Sequence, residues 1–117
     1  MSLKAKEKEA WRYYKIWMHE KTYSKALKTN IRITRKGWDH IKSGSKIRKR
    51  KIKDKYSRFQ LLKLAKFIIK NSSAYEISYK DKQKYYVLRY KLKREEITVL
   101  IKDDQYGNKY LFSVFKH

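Results

Sequence analysis

The period of the hydrophobic pattern changes near residue 72, and this change limits the fold more than any other feature. Before it, apolar side chains recur three and four residues apart, and Leu61, Leu64, Ala65 and Ile68 form one helical stripe. After it, the period becomes two, and segments such as "ITVLI" and "YLFSVF" are rich in the β-branched and aromatic residues typical of strands. We therefore expect an α+β fold: N-terminal helices followed by a four-stranded antiparallel β-meander, with the helices packed on one face.

The same patterns predict where the elements lie. Helices are expected over 3–28, 35–42 and 54–72, a short extended segment over 31–34, and strands over 75–79, 85–92, 97–102 and 109–116. Thr34 is the predicted N-cap of the second helix, and the aromatic stripe of the first helix, with Tyr14 and Trp17, is expected in the core.

A chain of 117 residues suits one domain. We expect an amphipathic helix at 1–30 and a helix-plus-sheet domain at 31–117, together forming a single compact unit.

The charge of the chain predicts its partner. There are 33 Lys and Arg residues against 11 Asp and Glu, a formal charge of +22. A folded body with this charge repels itself, and a polyanion that releases counterions relieves that repulsion. Hydrophobic residues make up 41% and aromatic residues 15% of the chain, which excludes a disordered basic tail. RNA or DNA is therefore the predicted partner.

The composition also disfavours other kinds of partner and binding site. The basic residues are spread along the chain instead of lining one helix, and no apolar run approaches the ~20 residues of a membrane span, so no membrane partner is expected. Without Cys, and with His19, His40 and His117 far apart, we predict no metal site and no cofactor. The N-terminus lacks the apolar core of a signal peptide, and a cytoplasmic location is expected.

Two regions are candidates for phosphate contacts. The stretch over 42–53 is broken by Gly and Ser and is rich in cations, so it is either a phosphate clamp or a solvated charge run. Its candidate residues are Arg48, Lys49, Arg50 and Lys51.

The second region is the sheet face turned away from the helices. We expect Ile97, Val99 and Ile101 to pack on the helices, together with Tyr110, Phe112 and Val114 of the last strand. The opposite face then carries polar and aromatic side chains: Tyr85, Arg89, Lys91, Thr98, Lys102 and Ser113. Cations beside tyrosine rings suit phosphates and unpaired bases, although a polar outer face is also ordinary for an antiparallel sheet.

RNA cleavage without a metal needs few residues. The ribose 2′-OH is the nucleophile, and the protein must move protons and stabilise the phosphate charge. A histidine is the natural acid–base group near neutral pH. His40, beside the basic stretch, is the best placed of the three histidines, and its alternative interpretation is an exposed helix-surface residue.

Several segments together resemble the barnase–EndoU–colicin–RelE-like superfamily, in particular its phage- and toxin-associated branch. The resemblance covers about residues 31–117, and the segments that carry it are "ITRKGWDHI" (Ile33–Ile41), "LLKLAKFIIKNSSAYEI" (Leu61–Ile77), "YYVLRY" (Tyr85–Tyr90), "EITVLIK" (Glu96–Lys102) and "YLFSVF" (Tyr110–Phe115). The resemblance implies helices followed by a four-stranded antiparallel sheet and a metal-independent ribonuclease, such as a tRNA-cleaving toxin. It implies His40, Arg89 and Ser113 as active-site residues, Arg58 and Lys102 as weaker candidates, and an acidic antidote or immunity protein as partner.

The leading hypothesis is thus a nucleic-acid-binding protein that acts as a metal-independent endoribonuclease of a phage, mobile element or toxin system. In it, His40 is the general acid–base group, Arg89 and Lys102 hold the phosphate, and Ser113 donates a hydrogen bond. The alternative is a non-enzymatic protein of a virus or mobile element that coats DNA or RNA and forms oligomers through the rings of its first helix, Trp11, Tyr14 and Trp17. A protein-binding adaptor that uses a sheet edge is a third alternative, which leaves the charge unexplained.

Overall fold

The computed structural model describes residues 2–44 and 51–116 and has the α+β architecture that the sequence predicts. Its elements are α1 (Leu3–Trp17), β1 (Tyr23–Ser24), β2 (Thr29–Asn30), α2 (Arg35–Ser43), α3 (Ile52–Gln60), α4 (Leu62–Asn71), β3 (Glu76–Lys80), β4 (Gln83–Leu92), β5 (Glu95–Asp103) and β6 (Lys109–Lys116). β3 to β6 form one antiparallel sheet in chain order, and β1 pairs with β2 in a separate small sheet. The predicted fold class is confirmed.

The first helix is shorter than predicted. It ends at Trp17, and the chain then turns into the β1–β2 hairpin where the sequence predicted helix to residue 28. The buried indole N–H of Trp17 donates to Thr22 Oγ1 at 2.8 Å, and Ser24 Oγ accepts from the backbone of Leu27 at 3.1 Å. Such side-chain hydrogen bonds offer the backbone an alternative to the helix.

The predicted helix over 54–72 is two helices, α3 and α4, that meet at Leu61. The backbone N–H of Leu61 lies 3.2 Å from the carbonyl oxygens of both Ser57 and Arg58, so the last turn of α3 tightens before α4 begins. This break allows α3 to reach the β6 edge of the sheet while α4 packs on β4 and β5.

The core lies between the helices and one face of the sheet, called here the inner face. Ile97, Val99 and Ile101 are at most 1% exposed, as predicted, and each buried side chain contributes on the order of 2 kcal/mol. Tyr14 and Trp17 of α1 are also buried in this core. Their rings therefore stabilise the fold and are not available for self-assembly.

A β-bulge in β6 changes which of its side chains face the helices and which face outward. Leu100 pairs with Ser113 but Ile101 pairs with Leu111, so β6 has one extra residue, Phe112, at this point. The extra residue shifts the alternation, and Phe112 and Ser113 both lie on the outer face. The prediction that Tyr110 and Phe112 pack on the helices is wrong for this reason, since Tyr110 pairs with Lys102 of the outer face.

The segment before α2 fixes that helix at the β6 edge. Arg32 bridges to β6 in parallel: its N–H donates to the Lys109 carbonyl at 2.8 Å, and its carbonyl accepts from Leu111 at 2.9 Å. Thr34 then caps α2 as predicted, its hydroxyl accepting from the Gly37 N–H at 3.1 Å. α2 is thereby held beside β6, with His40 near the outer face of the sheet.

Candidate nucleic-acid interface

An open cleft of about 730 Å³ lies over the outer face of the sheet. β4, β5 and β6 form its floor, α2 and α3 form one wall, and β3 with the turn that follows it forms the other. Four predicted site residues line this one cleft: His40, Lys51, Arg58 and Ser113. Arg48, Lys49 and Arg50 lie outside the described residues.

Arg58 is held in one orientation at the cleft wall. Its Nη1 donates to Ser113 Oγ, its Nε donates to Asp54 Oδ1 at 3.0 Å, and its guanidinium lies 5.1 Å from the centre of the Phe115 ring. The Arg58 side chain is only 13% exposed, and Ser113 is buried. A guanidinium fixed on three sides loses little conformational freedom when it binds an anion, since its geometry is already set.

The ring of Phe112 is the centre of a second group of side chains, named here the Phe112 cluster: His40, Tyr85, Lys102 and Phe112. The His40 and Phe112 rings are stacked at 3.8 Å between centroids, and the Tyr85 ring lies 5.1 Å from Phe112. The Lys102 ammonium lies 5.4 Å from the same ring centre. Aromatic faces beside a cation are what stacked bases and their phosphates require.

Burial shifts the pKa of two members of this cluster, Lys102 and Tyr85. Burial lowers the pKa of Lys102, and the positive charge of Lys36 lowers it further. A bound anion would offset both effects. Burial, with a smaller contribution from the charge of Asp81, raises the pKa of Tyr85. The Tyr85 phenol therefore keeps its proton at neutral pH and serves as a hydrogen-bond donor.

Arg89 and Lys91 are on the strand predicted but not in the cleft lining. Arg89 donates to Glu76 at 3.3 Å and to Glu96 at 3.1 Å, and its bond to Glu96 raises the pKa of the guanidinium. Lys91 is exposed and pairs in the sheet register with Glu96. The structure thus places both cations beside carboxylates and outside the lining of the cleft that holds His40.

Sequence reasoning missed Phe112 as a site residue because nothing in "YLFSVF" marks the bulge. It also missed the Arg58–Asp54 pair, for which a signal existed: a carboxylate four residues before an arginine lies on the same helical face. Ser78 and Asp81, on the β3 wall, carried no signal of their own.

Comparisons with protein-family models, with curated proteins and with solved structures found no match. Within residues 2–44 and 51–116, no three His, Cys, Asp or Glu side chains are grouped so that they could hold a metal ion. In the same part of the chain, no helix has the length and apolar character needed to cross a bilayer.

Proposed function

We propose that the protein binds single-stranded RNA in this cleft and cleaves it without a metal ion, in the manner of the toxin-like ribonucleases that its sequence resembles. The observation that carries the proposal is that His40 and Lys102 both contact the Phe112 ring, while Arg58 lines the same cleft as His40 and Phe112. The charge of +22 supports a polyanionic ligand. The half-buried aromatic rings of the floor, Tyr85, Phe112 and Phe115, favour unpaired bases over a duplex, whose bases are already stacked.

In the proposed reaction, neutral His40 takes the proton from a ribose 2′-OH. The 2′ oxygen attacks the adjacent phosphorus, and the bond from phosphorus to the 5′ oxygen breaks. The proton passes through water to that departing oxygen, so the products are a 2′,3′-cyclic phosphate and a 5′-OH end. Arg58 and Lys102 stabilise the charge on the phosphate, the Tyr85 phenol donates a hydrogen bond to it, and Ser113 positions Arg58.

The test of catalysis is incubation of the protein with tRNA or single-stranded RNA in EDTA. Cleavage should leave 2′,3′-cyclic phosphate ends and should stop when the 2′-OH at the cleaved nucleotide is methylated. His40→Ala should slow cleavage by about 100-fold or more, the range for a lost acid–base group. His19→Ala, at an exposed histidine beyond the end of α1, is the matched control and should cleave normally. Absence of cleavage by the wild-type protein would refute the catalytic part of the proposal.

The test of binding is the salt dependence of affinity for a labelled single-stranded RNA. Lys102→Gln should weaken binding and reduce the slope of log K against log salt by about 1, as expected for one lost phosphate contact. Arg89→Gln should change that slope less, because Glu76 and Glu96 already neutralise this guanidinium.

A non-enzymatic DNA- or RNA-coating protein is the second candidate. The distribution of cations along the whole chain favours it, since one catalytic cleft needs only a few of them. Equal affinity for duplex DNA and RNA, together with no cleavage in EDTA, would select this function over the first.

A further inference from the structure

β3 is one of the two edge strands of the four-stranded sheet, and Arg32 bridges to the other, β6. β3 pairs with β4 along one side, and all five of its residues are exposed. Two of them are large and apolar: Ile77 is 48% exposed and Tyr79 is 70% exposed. An exposed edge of this kind can pair with a strand of another chain, which natural proteins usually prevent.

The sequence of β3, "EISYK", is complementary to itself when two copies run antiparallel. If Ser78 lies opposite Ser78 of a second copy, Glu76 lies opposite Lys80, and Ile77 lies opposite Tyr79. Each matched pair then occurs twice, because the arrangement is twofold symmetric. Pairs of opposite charge and pairs of an aromatic with a β-branched side chain both stabilise antiparallel strands.

In this register, inner-face residues of one copy lie opposite inner-face residues of the other, and outer-face residues lie opposite outer-face residues. Ile77 pairs with Tyr86 of the inner face in β4, whereas Ser78 pairs with Tyr85 of the outer face. Across the twofold axis, the apolar pairs of Ile77 and Tyr79 therefore meet on the inner side. The Glu76–Lys80 ion pairs meet on the outer side.

We propose that two copies of this chain associate through β3 in the Ser78-centred antiparallel register and form one continuous eight-stranded sheet. Ser78, Lys80 and Asp81 line the cleft described above, so the dimer places two clefts side by side on one surface. The two clefts together would give one nucleic-acid strand a path across the dimer. That use of the dimer rests on the proposed function, whereas the pairing of the strands does not.

Ionic strength separates this association from nucleic-acid binding. Two copies that each carry +22 repel each other, and salt screens that repulsion. Dimer formation should therefore strengthen as salt is added, whereas RNA binding weakens. A short polyanion that spans both copies should also promote the dimer, since it neutralises both.

Sedimentation equilibrium of the full chain over a salt series tests the proposal. Glu76→Lys places lysine opposite lysine at both ends of the interface, and Lys80→Glu places glutamate opposite glutamate. Each variant alone should dimerise about tenfold or more weakly than the wild type. An equimolar mixture of the two should form a heterodimer close to wild-type affinity, because every charge then faces its opposite.

Glu9→Lys and Lys8→Glu are matched controls for the change in net charge. Both residues are exposed on α1, far along the chain from β3, and these variants should dimerise like the wild type. Thermal melting checks that each β3 variant is folded; Arg89 keeps its Glu96 partner when Glu76 is replaced. A wild-type protein that stays monomeric at high salt, or two variants that dimerise normally, would overturn the proposal.

A cross-link tests the register directly. The chain has no cysteine, and opposed residues in paired strands have Cα separations that a disulfide can span. Ser78→Cys should form a disulfide-linked dimer on mild oxidation, without any nucleic acid, and much faster than Tyr106→Cys in a loop where the tyrosine is 89% exposed. Equal rates for the two would refute the register. Failure of RNA binding alongside successful cross-linking would refute only the proposed function.

Discussion

Gly37, in the first turn of α2, lies close against the backbone of β6 in the helix that carries His40. A Cβ atom at this position would lie 2.4 Å from the carbonyl oxygen of Leu111 and 2.8 Å from the hydroxyl of Tyr14. Neither neighbour can move freely. The Leu111 carbonyl is part of the sheet backbone, and the Tyr14 hydroxyl donates to the Thr34 carbonyl at 2.6 Å. Gly37→Ala should therefore destabilise the protein.

The size of the effect follows from two opposed contributions. Alanine is favoured over glycine inside a helix by about 1 kcal/mol. A carbon atom normally comes no closer to a carbonyl oxygen than about 3.3 Å, so α2 would have to move by roughly 1 Å from β6. Overpacking of a core costs about 1–3 kcal/mol, and a clash with backbone lies at the upper end. We expect a net loss of about 2 kcal/mol, or a melting temperature lower by about 8 °C.

Urea denaturation monitored by tryptophan fluorescence measures this loss, since Trp38 of α2 is buried beside Gly37. Lys36→Ala, one residue earlier and exposed, is the control and should change the free energy of unfolding by less than about 0.5 kcal/mol. If Gly37→Ala is more stable than the wild type by about 1 kcal/mol, the close approach of α2 to β6 is refuted, because the propensity gain is then unopposed.

Three further predictions concern hydrogen bonds. Thr22→Val leaves the buried indole N–H of Trp17 without its acceptor and should cost about 1–3 kcal/mol in chemical denaturation, whereas Thr22→Ser should cost less. Tyr14→Phe should cost only about 1 kcal/mol in the same assay, since the carbonyl it leaves, at the N-cap of α2, still accepts a bond from the helix. Hydrogen bonds from the backbone of Tyr106 and from the side chain of Asn108 lower the pKa of Asp104. The ionised Asp104 carboxylate therefore stabilises the fold above the ordinary aspartate pKa of about 3.9 and loses this effect as pH falls through the lowered value. Asp104→Ala should reduce the melting temperature at neutral pH, and the difference should disappear in strong acid.

The division into N-terminal helices followed by a four-stranded antiparallel sheet could be predicted from sequence, because it depends on the change of hydrophobic period near residue 72. The inner face of β5 shows this most clearly: Ile97, Val99 and Ile101 are spaced two residues apart and are all buried. The ends of the helices were harder to predict from sequence. The α1 stripe continues past Trp17 in the sequence, but the Trp17–Thr22 hydrogen bond forms only when both side chains are buried together.

The site was predictable only in part, for a similar reason. His40 and Ser113 could be named from sequence, but whether they line one cleft depends on how α2 and β6 are placed in three dimensions. Arg89 lies on the predicted strand and on the predicted outer face. Its neighbours across the sheet, Glu76 and Glu96, come from other strands, and only the register reveals that they pair with it.

The β-bulge is the structural feature on which the arrangement of the cleft depends. In a regular strand, neighbouring residues point to opposite faces, so a strand can offer the outer face only every second side chain. Because one extra residue is inserted at Phe112, β6 offers two in succession: Phe112 stacks on His40, and Ser113 accepts from Arg58. α2 and α3 each therefore meet their own residue on β6, and the histidine and the arginine can line the same cleft. A strand without the bulge would keep one of these contacts and bury the other side chain in the core.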